Sequence, residues 1–382
     1  MDIAVYISWA LLAASIGYML TASACVIMFE GKCAKPSPKP TTWPTVTLFK
    51  PLHGIDFELE VNLRSFCTQD YPAYQVIFGV SSADDPAIPI VRDLLASLPD
   101  LDAELVIDTT INGSNPKVSN LINMDKVAKN DVLIISDSDM RVKPNYIKKV
   151  VGGFNTPKVG VVTCLYHGTP APGFASQLGA MFINQWFAPS ALIPATFGKM
   201  TNCFGATMAT RRQILIEIGG FEALVSNLAD DHTMGQRVRD LGYHITLANV
   251  VVENFVQEKD LKAMIHHELR WARTIRSIAP LGFASTFLTD TIPIGLVVSL
   301  LMFLAGWDLG WAFLPTGIAI GARLILHGST IGIFSSKNPS DTWIFPMRDL
   351  LSFFVRLICY TGKTVTWRSS HLSVGSGGEI DN

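Results

Sequence analysis

The 382-residue chain has few charged residues, which make up only 16% of it, and its 30 basic and 32 acidic residues give a net charge of −2. A chain without a basic excess has no electrostatic surface for nucleic acid. The scarcity of charge accompanies 49% hydrophobic residues and a mean hydropathy of +0.32. These values are too apolar for a wholly soluble protein, so we expect membrane segments.

Several common motifs are also absent. No GxGxxG follows the first predicted strand and no GxxxxGK[ST] occurs anywhere, so the usual dinucleotide and P-loop sites have no support. The six cysteines form no CxxC pair and no metal-binding spacing, which favours free thiols in a reducing compartment. No internal repeat or low-complexity tract is evident beyond a Gly/Ser-rich stretch at 373–378.

The N-terminal region contains a long stretch without a charged residue, 3–29. It is long enough to cross a hydrocarbon core of about 30 Å. It is too long for the core of a signal peptide and no basic residue precedes it, so a membrane-spanning helix is favoured over a cleaved signal. Lys32, Lys35 and Lys39 follow the stretch, whereas only Asp2 precedes it. The positive-inside rule therefore predicts that the polar middle of the chain is cytoplasmic.

Residues 45–280 have the composition of a soluble α/β domain. Candidate strands lie at 46–50, 74–80, 103–107, 131–136 and 159–164. Helical patterns separate the first four, and strands that alternate with helices predict a parallel sheet with right-handed crossovers.

The C-terminal third becomes apolar again. Stretches 291–307 and 309–326 predict a hairpin across the bilayer, with the turn from Trp307 to Trp311 at the far interface. A third stretch, 350–360, is shorter and carries Arg356. It is compatible with either a span or an interfacial helix.

A further apolar stretch, 174–198, is interrupted by Pro189 and Pro194. This pattern predicts a membrane-surface segment rather than a span. The predicted organisation is an N-terminal transmembrane helix at 1–30, a stiff PSPKP-containing linker at 31–44, an α/β domain at 45–280, a membrane region at 281–365 and a flexible tail at 366–382.

Acidic residues follow two predicted strands. Asp137 and Asp139 come just past the buried run 132–135, and Asp84 and Asp85 follow another apolar strand. Ligands of open α/β sheets bind at the carboxyl ends of the strands. Two carboxylates at i and i+2 suit one hard cation that also binds substrate phosphates. Each acidic pair, taken alone, also fits an ordinary turn or helix cap.

A third acidic pair, Asp230 and Asp231, opens a predicted helix. Acidic residues at a helix start commonly stabilise the helix dipole. A carboxylate at the sheet edge can instead act as a general base that deprotonates an acceptor hydroxyl.

The sequence HHELRWARTIR, residues 266–276, predicts a basic helix. His267, Arg270 and Trp271 share one face, with Arg273 close by. Such a helix beside membrane segments fits contact with anionic headgroups. The alternative is that Arg270 and His267 contact a leaving diphosphate, which suits the planar fork of donors of arginine.

Together these pieces resemble the processive-type GT-A glycosyltransferases. Within them the chain is most similar to the ceramide glucosyltransferase family, including its bacterial hopanoid branch. The resemblance covers roughly 45–280 and the flanking membrane layout, and it rests on GSNPKVSNL at 113–121, DSDMRVKP at 137–144, LADDHTMG at 228–235 and HELRWARTIR at 267–276. It implies an α/β fold of the GT-A type, Rossmann-like with a mostly parallel sheet, carrying N- and C-terminal transmembrane helices.

The resemblance also implies roles for individual residues. The nucleotide sugar would be bound by Asp84 or Asp85 at the uridine, with Lys117, Asp137 and Asp230 near the nucleotide. Asp137 and Asp139 would hold Mg²⁺ or Mn²⁺ on the diphosphate, and Asp231 would be the base. His267, Arg270, Trp271 and Arg273 would serve the diphosphate and the acceptor. His267 departs from the Gln or Arg usual in the family, so the sequence does not specify the charge at this position.

The implied reaction is a single displacement with inversion. It would move glucose or N-acetylglucosamine from a UDP-sugar to the hydroxyl of a membrane lipid, ceramide or a hopanoid polyol, and form a β-glycolipid. The implied location is a bacterial inner membrane with the catalytic domain in the cytoplasm, and the sequence itself specifies neither the sugar nor the lipid.

Other functions remain open. A processive polysaccharide synthase needs a channel, for which two to four spans are too few, whereas a polyprenyl-phosphate or diacylglycerol glycosyltransferase needs none. A non-catalytic membrane scaffold or transporter is a further alternative. Only Arg323 and Arg356 clearly lie within the predicted spans, so no ion pathway is evident.

Overall fold

The computed structural model describes residues 2–35, 42–198, 200–334, 341–362, 364–367, 370–374 and 380–381. The PSPKP part of the predicted linker, 36–40, and residues 375–378 of the Gly/Ser-rich stretch lie outside these ranges. The chain forms two compact units. The sheet unit comprises Lys32–Ala171 and Phe197–Gln257, and the membrane unit comprises Met1–Gly31, Pro172–Thr196 and Glu258–Asn382.

The strands confirm all five sequence predictions. The described strands are β1 (Val46–Pro51), β2 (Tyr74–Val80), β3 (Ala103–Ile107), β4 (Val132–Ile135), β5 (Met140–Arg141), β6 (Val159–Pro170), β7 (Met208–Arg211), β8 (His244–Val256), β9 (Thr364–Trp367), β10 (Ser370–Val374) and β11 (Ile380–Asp381). The predicted strands are β1, β2, β3, β4 and β6 of this set. The β6 strand extends beyond its predicted end because it continues to pair in parallel with β8 after an irregularity in register.

The helices are α1 (Asp2–Ala34), α2 (Leu59–Cys67), α3 (Ala87–Ala96), α4 (Pro116–Asp125), α5 (Tyr146–Val151), α6 (Phe174–Phe182), α7 (Ala188–Thr196), α8 (Arg212–Glu217), α9 (Asp230–Asp240), α10 (Leu261–Ile278), α11 (Pro280–Ser285), α12 (Thr291–Leu304), α13 (Leu309–Ile333) and α14 (Asp341–Cys359). A π-helical segment (Ile183–Phe187) joins α6 to α7, and 3₁₀ turns span Phe221–Leu224 and Thr286–Thr289. The helices predicted at 230 and within 266–276 are thus confirmed as α9 and part of α10.

The sheet unit is built on an eight-stranded sheet in the order β3-β2-β1-β4-β7-β6-β8-β5. The half from β3 to β4 is parallel, as is the β6–β8 pair, whereas β7 runs antiparallel to both of its neighbours and β5 runs antiparallel to β8. The predicted α/β class with a mostly parallel sheet is confirmed.

The central strands are buried on both faces, as their largely apolar sequences predict. Leu48 of β1 and Ile134 of β4 pack into the core on one side of the sheet. Phe49 and Ile135, their neighbours along the chain, pack into the core on the other side. Because successive side chains point to opposite faces, hydrophobic cores pack against both faces of the sheet. Polar loops follow the carboxyl ends of its parallel strands.

The membrane unit contains two helices that are long and apolar enough to cross a bilayer, α1 and α13. The helices of 280–304, which bend by 66° before α12, would form a third span if they count as one. All but the last residue of the stretch 350–360 lies within α14. This described helix is not among those long and apolar enough to cross a bilayer. The prediction of membrane helices on both sides of the sheet unit in the sequence is confirmed.

The stretch 174–198 is helical through its prolines, with Pro194 inside α7. A proline ring clashes with the carbonyl four residues earlier in an α-helix. The π-helical segment directly before α7 widens the backbone just ahead of Pro189. The residues that interrupt the sequence pattern therefore modify the helix locally instead of ending it.

The tail that the sequence predicts to be flexible, 366–382, is partly ordered into strands. Antiparallel pairing joins β9 to β10 and β10 to β11. The runs Thr-Val-Thr-Trp and Ser-His-Leu-Ser-Val are rich in residues that favour strands. The described part of the tail therefore differs from the predicted unstructured segment.

Candidate active site

Three polar segments meet at the carboxyl edge of the parallel strands in the sheet unit. The loop after β4 carries Asp137, the first turn of α4 carries Lys117, and the first turn of α9 carries Asp230. The Nζ atom of Lys117 lies 2.8 Å from Oδ1 of Asp137 and 3.4 Å from Oδ2 of Asp230. Asp230, which is more than 90 positions from the other two residues in the sequence, thus joins Lys117 and Asp137 in one charge cluster.

Lys117 is the positive centre of this cluster. Burial alone would lower the pKa of its ammonium group, but the charges of Asp137, Asp230 and Asp231 outweigh burial and raise that pKa above its usual value. Lys117 therefore stays cationic at neutral pH. It offsets part of the negative charge that accumulates at this edge.

The GSNPK motif is hydrogen-bonded to the loop that directly precedes LADDHTMG. The backbone N–H of Asn115, in GSNPK, donates to the carbonyl of Val225 at 2.8 Å, and its side-chain Nδ2 donates to the carbonyl of Asn227 at 2.7 Å. Asn115 also caps α4, because its side chain accepts a hydrogen bond from Val118 N–H at 3.1 Å. The motif thus positions Lys117 against the loop that leads to Asp230.

Asp231 lies at the same helix start with both carboxylate oxygens hydrogen-bonded to backbone. Its Oδ2 accepts from Gly205 N–H at 2.9 Å and its Oδ1 accepts from His232 N–H at 2.7 Å. Burial and the neighbouring charge of Asp230 raise its pKa to about 6. A Cβ atom at Gly205 would lie 3.4 Å from Asp231 Oδ2 and 3.7 Å from Lys117 Nζ. Glycine thus gives the site room directly beside the carboxylate.

Asp139 is hydrogen-bonded to β8, which lies near the end of the sheet opposite β3. Asn254 of β8 donates to its Oδ2 at 2.8 Å, and Phe255 N–H donates to its carbonyl at 3.0 Å. Its other carboxylate oxygen, Oδ1, is buried and has no hydrogen-bond partner among the described residues. Burial and the charges of Asp137 and Asp56 raise its pKa to about 7.

A divalent cation fits this pair of carboxylates. A buried carboxylate oxygen without a partner is destabilising unless a proton or cation satisfies it, and Asp139 Oδ1 is such an atom. The described residues contain no group of three His, Cys, Asp or Glu side chains that could hold a metal ion alone. Two carboxylates completed by substrate phosphates are the usual set for Mg²⁺, which agrees with the predicted ligands Asp137 and Asp139.

Lys50 and Asp56 belong to the site although the sequence reasoning missed them. Lys50, fully buried at the end of β1, donates to the carbonyl of Asp137, and its ammonium lies 3.7 Å from the centre of the Phe66 ring. Burial lowers its pKa to about 7 against the opposing charges of Asp137 and Asp139. The hydroxyl of Ser138 donates to Asp56. A single lysine in the otherwise apolar VTLFKP was the signal for Lys50.

Asp84 and Asp85 lie in the loop after β2, at the same edge of the sheet. The buried carboxylate of Asp85 accepts from Gly54 N–H at 3.1 Å and from Ala87 N–H at 2.9 Å. The Asp85 carboxylate thus connects the loop after β1 to the start of α3 through hydrogen bonds. Asp84 is exposed. Asp85 therefore stabilises a turn, which is one of the two alternatives that the sequence left open. Binding of uridine by Asp84 or Asp85 stays a prediction.

The four remaining predicted residues lie on α10, in the membrane unit. His267 Nδ1 is 2.7 Å from Oε1 of Glu258, and its ring centre is 4.4 Å from that of Trp271. Trp271 also contacts Phe182, with ring centres 6.1 Å apart. Arg270 and Arg273 occupy the same helix. The acidic partner of His267 was not predicted from sequence.

Comparison with known proteins agrees with the resemblance. The chain matches Glycosyl transferase family 21 over residues 7–380. Ceramide glucosyltransferase 1 of Caenorhabditis elegans is 24% identical over 353 residues, covering 91% of this chain and 75% of that protein. The probable glycosyltransferase YdaM of Bacillus subtilis is 25% identical over 239 residues, covering 60% and 55%.

Among solved structures, the mannosyltransferase PcManGT from Pyrobaculum calidifontis, in complex with GDP-Man and Mn²⁺, superposes with a TM-score of 0.48 at 20% identity, covering 91% of this chain and 99% of that one.

The family match extends beyond the motifs to both membrane regions, and the predicted α/β class with N- and C-terminal membrane helices is confirmed. The chain therefore belongs to glycosyl transferase family 21 and is a membrane glycosyltransferase.

Proposed function

We propose that the protein transfers a hexose, glucose or N-acetylglucosamine, from a UDP-sugar to the hydroxyl of a membrane lipid with inversion, forming a β-glycolipid. Ceramide or a hopanoid polyol is the acceptor. The relatives named ceramide glucosyltransferase support a lipid acceptor. The acidic cluster at the sheet edge supports the donor side, because it combines a cation-binding pair with a separate carboxylate at the start of α9.

The observation that carries the proposal is the placement of Asp231 at the start of α9, where both of its carboxylate oxygens accept hydrogen bonds from backbone N–H groups beside the Lys117 cluster. A general base works best when its pKa lies near the working pH, and burial has raised that of Asp231 to about 6. At neutral pH it is ionised and can accept a proton. Two backbone N–H groups fix the orientation of the carboxylate. In the proposed step Asp231 takes the proton of the lipid hydroxyl as that oxygen attacks the anomeric carbon.

The leaving UDP carries the negative charge that develops in this step. Lys117 places a buried cation 2.8 Å from Asp137, and we assign it to the nucleotide diphosphate. Asp137 and Asp139 would hold Mg²⁺ or Mn²⁺, which when bound neutralises charge on the diphosphate. Arg270, with its planar fork of donors, is assigned to the same group. Preorganised charges of this kind stabilise a transition state without reorganising during the reaction.

The other predicted residues complete the assignment. Asp84 or Asp85 binds the uridine, and Asp230 helps to hold Lys117 in place at 3.4 Å. Trp271 frames the acceptor and Arg273 supports the basic face of α10. His267 is oriented by Glu258. With a soluble donor and a lipid acceptor, the reaction belongs at a membrane surface. We place the catalytic domain in the cytoplasm, at the inner membrane of a bacterium.

Substitution of Asp231 by Asn tests the proposal against a binding scaffold. D231N keeps the size of the side chain but cannot accept the proton, so we expect turnover to fall by about 10²-fold or more. UDP binding, measured by titration calorimetry, should change by less than about threefold because the base does not hold the nucleotide. Asp240, exposed at the other end of α9, provides the control variant D240N. Full turnover by D231N would refute the assignment of the base.

A further inference from the structure

Buried charges form a connected network inside the membrane unit. Arg323 of α13 and Arg348 of α14 are both fully buried, with no exposed side-chain surface. Arg323 Nε lies 3.0 Å from Oδ2 of Asp349, and Arg348 Nη2 lies 2.5 Å from Oε1 of Glu268. Charged residues at such depth are costly and in membrane proteins commonly mark functional sites.

The two ion pairs converge on the π-helical segment. Arg323 Nη2 donates to Oε1 of Gln185 at 3.0 Å. The guanidinium groups of Arg323 and Arg348 lie 4.7 Å and 5.6 Å from the centre of the Trp186 ring. The π-helix is rare and often occurs at functional positions. Both ion pairs therefore contact Trp186 through their guanidinium groups.

The network is not satisfied by the protein. Six of its buried side-chain atoms have no hydrogen-bond partner among the described residues: Gln185 Nε2, Trp186 Nε1, Glu268 Oε2, Arg323 Nη1, Arg348 Nη1 and Asp349 Oδ1. Ser352 Oγ, one helical turn after Arg348 on α14, is also buried and unpaired. Buried polar groups in native proteins are nearly always paired, and each unpaired one destabilises the fold. So many in one network indicate that their partners come from outside the chain.

The charges and donors of the network define the chemistry of that partner. Two guanidinium groups are matched by two carboxylates, which leaves no net charge to attract a phosphate. The unpaired atoms comprise donors on Gln185, Trp186 and both arginines, acceptors on the two carboxylates, and one hydroxyl. A neutral group that both donates and accepts, such as a hydroxyl or an amide, satisfies such a mixed set.

The network adjoins the residue assigned to the acceptor. Glu268 and Trp271 lie on the same helix, α10. The ring centre of Phe182 lies 6.1 Å from that of Trp271 and 6.3 Å from that of Trp186. One aromatic ring thus separates the network from Trp271 within the membrane unit.

We propose that this network binds the polar part of an uncharged acceptor lipid through its hydroxyl or amide groups and selects against lipid phosphates. The assignment rests on the proposed function and deepens it, because it favours ceramide-like or polyol lipids over polyprenyl phosphates as acceptors.

Two variants separate ligand binding from a purely structural role. S352A and W186F each remove one unpaired polar atom. If the network served stability alone, S352A would leave the melting temperature unchanged or raise it, whereas W186F would lower it because the smaller ring packs less well against the two arginines. If it binds lipid, they remove a ligand contact, and we expect the KM for the lipid to rise by about five- to tenfold with the KM for the UDP-sugar unchanged. The control is S23A, equally buried, whose hydroxyl bonds to the carbonyl of Met19 in its own helix.

Lipid binding is measured without catalysis as the shift in melting temperature of the purified protein in detergent. The probes are N-hexanoylsphingosine and, as the phosphate lipid, farnesyl phosphate. We expect the ceramide to raise the melting temperature by about 2–5 °C in the wild type and S23A. The shift should be at least halved in S352A and W186F, and farnesyl phosphate should give none.

An equal ceramide shift in all four proteins, no ceramide shift in the wild type, or a shift with farnesyl phosphate would overturn the assignment. UDP binding in the same samples distinguishes the two proposals. If UDP does not bind, the proposed function fails. The shift in melting temperature with ceramide still shows whether the network binds lipid.

Discussion

Asp231 and Lys117 lie at the same sheet edge, and their surroundings shift the pKa of each group in a way that suits a different role. Burial raises the pKa of Asp231, which makes it a better proton acceptor. The surrounding carboxylates raise the pKa of Lys117, which keeps it a permanent cation. Both effects arise from low solvent exposure and close charged neighbours.

The pH dependence of turnover follows from Asp231. Its pKa of about 6 lies above the usual aspartate value, and the protonated carboxyl cannot serve as a base. Turnover should therefore be low at pH 5, rise about tenfold per pH unit below pH 6 and level off above pH 7. The measurement is kcat at saturating substrates across this range, with thermal stability recorded at each pH. A flat kcat between pH 5 and 7 would argue against Asp231 as the base.

Removal of the cation at position 117 should affect both stability and donor binding. In K117M the carboxylates of Asp137, Asp230 and Asp231 lose their shared partner, so we expect a loss of about 2–3 kcal/mol of stability. UDP binding should weaken at least tenfold.

Lys126, more than half exposed and paired with Asp108 at 2.9 Å, provides the control, since K126M should cost less than about 1 kcal/mol. Thermal unfolding and UDP titration compare the two. Equal effects would mean that Lys117 has no special position.

At the scale of elements, the strands were predictable because their signal is local. Apolar runs rich in β-branched residues mark β2 and β4, and the predicted acidic residues follow both strands directly in the sequence. The partners of those acidic residues were not predictable in the same way. Asn254 meets Asp139 across 115 residues and Lys50 meets Asp137 across 87. Only the strand order of the folded sheet brings such residues together.

The ends of elements were also less predictable than their cores. Pairing with β8 extends β6 past its predicted end, and a π-helical segment carries the chain through Pro189. Both features depend on neighbouring backbone rather than on the residue pattern. The Glu258–His267 pair likewise joins a loop to α10.

The cap of α4 connects an element boundary to the site. Asn115 caps the helix and bonds to Asn227, and it precedes Lys117 by two residues. In N115A we expect a loss of about 1–2 kcal/mol of stability together with weaker UDP binding, because Lys117 is no longer held.

The control for this prediction is N145A. Asn145 occupies the equivalent position before α5 but makes no side-chain cap bond. Thermal unfolding should separate the two variants clearly. An unchanged melting temperature in N115A would contradict the positioning role.

At the scale of the whole molecule, the charge distribution and the membrane helices predict one orientation. The positive residues after α1 favour a cytoplasmic sheet unit, and the turn between α12 and α13 then lies on the opposite side. In a Cys33→Ser background, cysteines at exposed Asp84 and Asp308 should react with a membrane-impermeant maleimide from opposite sides. Labelling of both from the same side of sealed vesicles would contradict this topology.

The central claim, sugar transfer to a lipid at the acidic edge, is tested most directly by UDP release. Purified protein in detergent receives UDP-glucose or UDP-N-acetylglucosamine with ceramide or a hopanoid polyol, in the presence of Mg²⁺ or Mn²⁺. We predict release that requires the lipid, is abolished by EDTA and is lost in D231N. Absence of both lipid-dependent release and UDP binding would contradict the account.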